Sequence, residues 1–160
     1  MNADLRPARL EDSETIAAMV RELAVYEKLE GHARATGEDL ARHLFGDRPS
    51  AEVILAEVEG EPVGFSLFFP TFSTFRGQAG IYIEDIFVRP EYRNQGIGKA
   101  LLARVARIAV DRDCGRVEWS VLNWNAPSIA FYQAQGAVPM DEWTVYRLDE
   151  SALLSLARKD

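Results

Sequence analysis

The chain has 160 residues, the length of one ordinary domain, and 48% of them are apolar, which is enough for a hydrophobic core. Eighteen Lys and Arg residues against twenty-five Asp and Glu give a formal charge of −7, which argues against a nucleic-acid binder and suits a cationic or neutral partner. The single cysteine, Cys114, excludes an internal disulfide and a cysteine-rich zinc site, and the two histidines argue against a histidine-built metal site.

Targeting and membrane signals are absent from the sequence. No apolar run approaches the roughly 20 residues of a membrane-spanning helix. The polar and acidic N-terminus carries no apolar region of the signal-peptide kind. We therefore expect a cytoplasmic protein without membrane partners, folded as one domain over residues 1–160.

Alternating strand and helix patterns run along the whole chain, without a linker or a repeat. In the first half the predicted elements are a strand at 3–8, a helix from Asp12 or Ser13 to about Glu27, a helix at Glu38–Leu44 capped by Thr36, and strands at Glu52–Val58 and Val63–Phe72 joined by a turn at Glu59-Gly60-Glu61. In the second half they are a strand at Ile81–Val88 after a break at Gly77–Gly80, a helix from Gly96 to Asp113 stopped by Gly115, a strand at Arg116–Val121, a helix from Asn125 to Gly136, a strand at Trp143–Leu148 and a helical turn at Ser151–Arg158. This order predicts an α/β or α+β fold with a mixed central sheet.

A glycine-containing turn follows the strand that ends at Val88. Gly96 and Gly98 carry no side chain, so a ligand can approach the backbone closely. The first amides of the following helix have no partner within it, and with the helix dipole they bind anions, while Arg93 and Lys99 add positive charge. The turn is neither a dinucleotide fingerprint nor a P-loop. A pyrophosphate fits it, and a purely structural turn is the competing interpretation.

Two motifs carry a resemblance to a known family. Arg-x-x-Gly-x-Gly at Arg93–Gly98 and the Asn-Ala-Pro-Ser segment with Phe-Tyr at Asn125–Tyr132 resemble, in the same order, the two conserved stretches of the GNAT acetyltransferase superfamily. Within it, the chain is most similar to the diamine (spermidine/spermine) and thialysine acetyltransferases. This likeness is carried by Arg6-Pro7-Ala8, Glu22–Glu27, Tyr82–Val88, Trp124–Tyr132, Trp143 and Tyr146–Asp149.

The resemblance implies the GNAT fold and acetyl-CoA as the cofactor, without a metal. It places the pantetheine arm along the backbone of Ile86, Phe87 and Val88. It assigns the remaining cofactor contacts to Arg93, Asn94, Gln95, Gly96, Ile97, Gly98, Lys99, Asn125, Ser128 and Tyr132.

Transfer of an acetyl group to an amine requires the neutral amine. A lysine-like amine has a pKa of about 10.4, so its deprotonation at neutral pH costs about 4–5 kcal/mol, and a carboxylate can accept the proton. By resemblance Glu84 is the general base, acting through water, Asp85 binds the substrate ammonium, and Tyr132 protonates the sulfur that leaves. Cys114 has no histidine nearby in the sequence and is not expected to act as a nucleophile, so we expect direct transfer without an acetyl-cysteine intermediate. Neighbours on a strand point to opposite faces unless a bulge turns both inward. Without the resemblance, a solvated carboxylate pair and a core aromatic residue are the simpler interpretations.

The acceptor amine is less narrowly defined. Acidic and aromatic side chains suit an extended cation, and the candidates for binding it are Tyr26, Glu27, Glu84, Asp85, Asp141, Glu142 and Trp143. Phe75 stands where relatives tend to carry Trp, the Phe72–Gly80 segment is one residue longer than in the polyamine enzymes, and Arg76 adds a positive charge. A diamine, a lysine analogue and another small amine therefore all stay open. The alternative functions are a protein lysine or N-terminal acetyltransferase and a non-catalytic acetyl-CoA-binding module. The resemblance also implies a homodimer.

Overall fold

The computed structural model describes residues 2–159, with five strands and five α-helices. In chain order they are β1 (Asp4–Pro7), α1 (Ser13–Tyr26), α2 (Gly37–Phe45), β2 (Glu52–Val58), β3 (Glu61–Ser73), β4 (Gln78–Val88), α3 (Ile97–Asp111), β5 (Val117–Trp119), α4 (Ala126–Ala134) and α5 (Glu150–Ala157). Among the helices described, none combines the length and the apolar character needed to cross a membrane.

Local signals placed most of these elements correctly. At the start of α2, the Asp39 amide donates to Thr36 Oγ1 at 3.2 Å while the Thr36 amide donates to the Asp39 carboxylate at 3.0 Å. This reciprocal pair satisfies amides that the helix itself leaves without partners. Between β2 and β3, Glu59 and Gly60 have φ values of 53° and 82°, which are typical of a two-residue hairpin turn.

Two boundary predictions are wrong. Gly80 does not break a strand: β4 already begins at Gln78, because β3 continues far enough for Thr71 to pair with Gly80. Gly115 does not end the long helix, because Asp113 takes the left-handed conformation at φ 56°. Asp adopts that conformation more readily than most side chains, so the chain leaves the helix before it reaches the glycine.

The predicted strand at Trp143–Leu148 is also wrong for the described chain. These residues belong to no strand, and no strand of the sheet pairs with them. Strand formation depends on a neighbouring backbone that satisfies the amide and carbonyl groups, and an alternating side-chain pattern cannot supply that neighbour.

The five strands form one sheet in the order β1-β2-β3-β4-β5. The first four are antiparallel to their neighbours, whereas β5 runs parallel to β4 after the crossover through α3. The expected mixed sheet is therefore confirmed. The crossover places the β4-to-α3 turn at the carboxyl end of β4.

Both faces of the sheet are covered. On one face α1 and α2 pack over a core cluster that includes Met19, Leu55, Phe65 and Phe87. Alternate residues of the strands point to the other face and are buried too, and α3 packs against β2, β3 and β4 with Leu101 fully buried. This packing fixes the ends of α1 and β4, where the candidate site lies.

Internal contacts divide the chain into two units, one up to Leu122 and one from Asn123 onward. The first contains the sheet with α1, α2 and α3, and the second contains α4 and α5. The expectation of one domain over the whole chain remains a prediction.

Candidate functional site

An irregularity in β4 lies at the two adjacent carboxylates. Asp85 pairs with Leu67 of β3, but the next β3 residue, Phe68, pairs with Ile83, so Glu84 is an extra residue without a partner. Such a bulge interrupts the alternation of side chains along a strand and redirects them. The register change therefore supplies the device that would let two neighbouring carboxylates serve one site.

The carboxylate of Asp85 is in an unusual electrostatic environment. Burial, reinforced by the negative charges of Glu84 and Glu27, raises the pKa of Asp85 to about 7. Burial also raises the pKa of Glu27, whereas the Glu84 side chain is exposed. Among residues 2–159, none of these three carboxylates forms an ion pair with a Lys or Arg side chain.

The C-terminal end of α1 places Glu27 in this acidic cluster, which we define as Glu27, Glu84 and Asp85. Lys28 adopts a left-handed conformation at φ 60°, and the Leu29 amide donates to the carbonyl of Ala24 at 2.8 Å. These contacts terminate the helix. Tyr26, the last residue of α1, packs against the apolar cluster beneath the helix.

The turn between β4 and α3 has the geometry expected of an anion site. A single 3₁₀ turn at Pro90–Tyr92 leads to Gly96, which has φ 83° and precedes the first residue of α3. Ile97 is 2% exposed, so the start of α3 is anchored in the core. A Cβ placed on Gly96 would have no atom within 4 Å, so the space beside this backbone is open. Lys99 is exposed on the first turn of the helix.

Arg93 is held between this turn and α1. Its Nε donates to the carbonyl of Val88 at 2.7 Å, and its guanidinium lies 4.5 Å from the centre of the Tyr26 ring and 5.7 Å from that of Phe87. Within the described chain it forms no ion pair with a carboxylate. Arg93 is thus a partly buried cation beside the open turn, as an anion site requires.

The edge of β4 is open beyond its first residues. β5 pairs with β4 only from Ile81 to Ile83, and no described strand pairs with that edge over residues 84–88. Extended ligands bind such an edge through their amide groups. The predicted contact of a pantetheine arm with Ile86, Phe87 and Val88 requires this free backbone.

The remaining predicted residues lie in the second unit. The side chain of Asn125 caps α4 by accepting a hydrogen bond from the Ser128 amide at 3.3 Å. The rings of Phe131 and Tyr132 are 5.3 Å apart on the same helix. Asp141 and Trp143 lie in an exposed segment after α4.

The structure therefore brings the predicted residues together in sets. Glu27, Glu84 and Asp85 form one, and Tyr26 with Arg93 forms a second on the same unit. Sequence analysis missed Arg89, whose guanidinium donates to both carboxylate oxygens of Glu22 at 3.0 Å. The available signal was spacing, because Arg89 and Arg93 are four residues apart, as are their partners on α1.

Within residues 2–159, no set of side chains is arranged as a metal site, and this includes the acidic cluster. No group of three or more His, Cys, Asp and Glu side chains there could hold a metal ion.

Comparison with known proteins identifies the family. The profile of the acetyltransferase (GNAT) family matches residues 16–137. The thialysine N-epsilon-acetyltransferase of Bos taurus is 37% identical, with 97% of each chain covered. The L-ornithine N5-acetyltransferase NATA1 of Arabidopsis thaliana is 33% identical, over 98% of this chain and 88% of that one. An integron cassette protein of V. cholerae superposes with a TM-score of 0.84 at 26% identity, over 99% of each chain.

These matches confirm the fold and the class of enzyme implied by the two sequence motifs. The matched region spans the acidic cluster, the β4-to-α3 turn and the capped helix α4. The GNAT acetyltransferases use acetyl-CoA, and the open turn with its unpaired arginine is compatible with a phosphate group. The chain belongs to the GNAT acetyltransferase family.

Proposed function

We propose that this acetyltransferase acetylates the side-chain primary amine of a small basic amino acid or a related diamine. One observation carries the acceptor class: the acidic cluster holds three carboxylates, two of them with pKa values raised by burial, and none of the three pairs with a Lys or Arg side chain of the described chain. A buried charge needs a partner of opposite sign. An ammonium group of the substrate would be that partner.

The names of the relatives support the same class. The bovine relative is named for the Nε amine of thialysine and the Arabidopsis relative for the N5 amine of L-ornithine. Both acceptors are amino acids whose side chain ends in a primary amine. We therefore favour an amino acid acceptor over a polyamine, and over the lysine or N-terminus of a protein.

The donor would occupy the turn and the open edge of β4. Arg93, Gly96 and Lys99 would hold the phosphates of acetyl-CoA, together with the backbone of Asn94, Gln95, Ile97 and Gly98. The backbone of residues 86–88 would pair with the pantetheine arm, and Asn125 and Ser128 at the start of α4 would contact the cofactor. Acetyl-CoA supplies the activated acetyl group.

Two side chains of this protein would each transfer one proton. Glu84, exposed at the bulge, would take the ammonium proton through water, while Asp85 and Glu27 would hold the ammonium by charge. Tyr132 on α4 would donate a proton to the leaving sulfur. Tyr26, Asp141 and Trp143 are proposed as further acceptor contacts. With both proton-transferring residues present, we favour catalysis over a non-catalytic acetyl-CoA sensor.

A homodimer is part of the proposal. Trp143, Val145 and Tyr146 are 74%, 83% and 92% exposed, an unusual density of large apolar side chains facing solvent. A second copy of the chain would remove this surface from water, which sedimentation equilibrium would detect as twice the monomer mass. The cytoplasmic location remains a prediction.

The test is release of coenzyme A from acetyl-CoA with thialysine, L-ornithine, L-lysine, spermidine, putrescine and a lysine-containing peptide. Wild type is compared with Glu84→Gln and Tyr132→Phe, which each remove one proton-transferring group with little change in size. Exposed Glu61→Gln, at the start of β3, is the matched control for loss of one carboxylate.

We expect turnover of thialysine or ornithine by wild type and Glu61→Gln. Loss of one general acid or base lowers kcat by about 100- to 10,000-fold, with acetyl-CoA binding retained. Preference for the peptide would contradict the acceptor class. Binding of acetyl-CoA without turnover of any amine would favour the sensor, and no binding would refute the donor site.

A further inference from the structure

Two arginines tie the β4-to-α3 turn to helix α1. Arg89 pairs with Glu22 through two hydrogen bonds of 3.0 Å and also donates to the carbonyl of Pro62 at 2.9 Å. Four residues later, Arg93 stacks on Tyr26, one helical turn beyond Glu22. The first contact is a closed ion pair, whereas the second involves an arginine whose charge no described carboxylate neutralises.

Arg93 therefore has two different sides. The central carbon of its guanidinium lies over the Tyr26 ring, 4.5 Å from the ring centre, and its Nε donates to the Val88 carbonyl. The terminal nitrogens make no hydrogen bond to the residues described. A guanidinium can stack on a ring and bind a phosphate oxygen at the same time, which the point charge of a lysine does poorly.

Tyr26 directly precedes Glu27, a member of the acidic cluster, along the chain. The charge of Glu27 acts on the Asp85 carboxylate. The end of α1 thus contacts the turn that would hold the phosphates and, one residue later, contributes to the cluster that would hold the ammonium.

We propose that the Arg93–Tyr26 stack couples the phosphate site of the donor to the acidic site of the acceptor, an inference that rests on the proposed function. A phosphate that fixes the guanidinium also fixes Tyr26, and with it the backbone that positions Glu27. The amine then binds a cluster that is already ordered, so that its affinity rises when the donor is bound. Tyr26 is in this role a positioning residue.

Reciprocity makes the inference measurable at equilibrium. If thialysine tightens the binding of coenzyme A by some factor, coenzyme A must tighten thialysine by the same factor. Calorimetric titration of coenzyme A, with and without saturating thialysine, gives that factor without turnover because coenzyme A carries no acetyl group. We expect about five- to tenfold coupling in wild type, at the lower end of the range for linked sites.

Four variants separate coupling from structural support. Tyr26→Leu removes the ring but keeps an apolar side chain, and Tyr26→Phe keeps the ring as a face for the cation. Glu22→Gln breaks the other contact between the same two elements and is the matched control. Arg93→Lys, which keeps the charge but loses the planar group, serves if Tyr26→Leu does not fold.

Coupling should persist in Tyr26→Phe and Glu22→Gln and drop to about onefold in Tyr26→Leu and Arg93→Lys, with each ligand still binding alone. Undiminished coupling in Tyr26→Leu, equal loss in Glu22→Gln, or uncoupled binding of both ligands to wild type would overturn the inference. Failure of thialysine to bind while coenzyme A binds would instead refute the proposed acceptor, and this inference with it.

Discussion

Replacement of Asp85 by asparagine should make the protein more stable and less active. The Asp85 carboxylate is partly buried, and burial together with the charges of Glu84 and Glu27 raises its pKa to about 7. The ionised form is therefore disfavoured in the folded protein relative to the unfolded chain. Asparagine has nearly the same shape and no charge, so the variant avoids this cost.

The magnitude follows from the difference between the two pKa values of Asp85. The folded value of about 7 exceeds the ordinary 3.8 by about 3 pKa units, and each unit corresponds to about 1.4 kcal/mol. Because the folded state binds the proton more tightly, this residue lowers the stability of wild type as the pH rises from about 4 to about 7. The advantage of the variant should thus grow from about 1.5 kcal/mol at pH 5 to about 4 kcal/mol at pH 8.

Urea denaturation of both proteins at pH 5 and pH 8 measures this difference directly. Exposed Asp47→Asn removes the same charge from the loop after α2 and is the control for net charge. In acetylation assays Asp85→Asn should lose at least about tenfold in kcat/KM for the amine, because one charge that holds the ammonium is gone. The kcat/KM of wild type should rise with pH through about 7 as the carboxylate ionises.

Equal or lower stability of Asp85→Asn at pH 8 would show that the buried charge of Asp85 does not destabilise the folded protein. So would a difference in unfolding free energy that stays constant between the two pH values, since the argument depends on titration of this carboxylate. Equal stabilisation by Asp47→Asn would show that net charge, and not the acidic cluster, is responsible.

Three further substitutions test other parts of the structure. Gly96→Ala should weaken coenzyme A binding at least about tenfold in calorimetry, because the added methyl group enters the open turn, where φ is 83°. Gly60→Ala is the control, since Gly60 has a φ of 82° in a hairpin turn away from the site. It should lower the free energy of unfolding by about 1 kcal/mol and leave coenzyme A binding unchanged. Phe65→Ala should lower the free energy of unfolding in urea by about 3–5 kcal/mol, since Phe65 is fully buried in the core. Thr36→Ala should lower it by about 1 kcal/mol through loss of the α2 cap, and restoration by Thr36→Ser would verify the mechanism.

Local conformations were predicted correctly from the sequence wherever they depend on neighbouring residues only. The cap at Thr36, the hairpin turn at Glu59 and Gly60, and the cap of α4 at Asn125 all depend on atoms within three or four residues. The same holds for the glycine turn before α3. These elements agree with their predictions because the hydrogen bonds and φ values that define them involve neighbouring residues only.

The pairing and register of the strands could not be predicted from neighbouring residues. The bulge at Glu84 exists because β3 pairs Leu67 with Asp85 and Phe68 with Ile83, a register that no pattern within β4 encodes. The alternating pattern at Trp143–Leu148 indicated a strand, but none forms because no strand of the described sheet pairs with those residues.

The family, the order of the elements as far as α4 and the glycine turn that can bind an anion all followed from the sequence alone, because each depends on residues close together along the chain. Which side chains act on one another followed only from the three-dimensional fold. Glu27 affects Asp85 across 57 intervening positions of the sequence, and Arg93 lies over the ring of Tyr26 from a different element. Such electrostatic and stacking interactions depend on distances in space, and those are set by how α1 packs on the sheet.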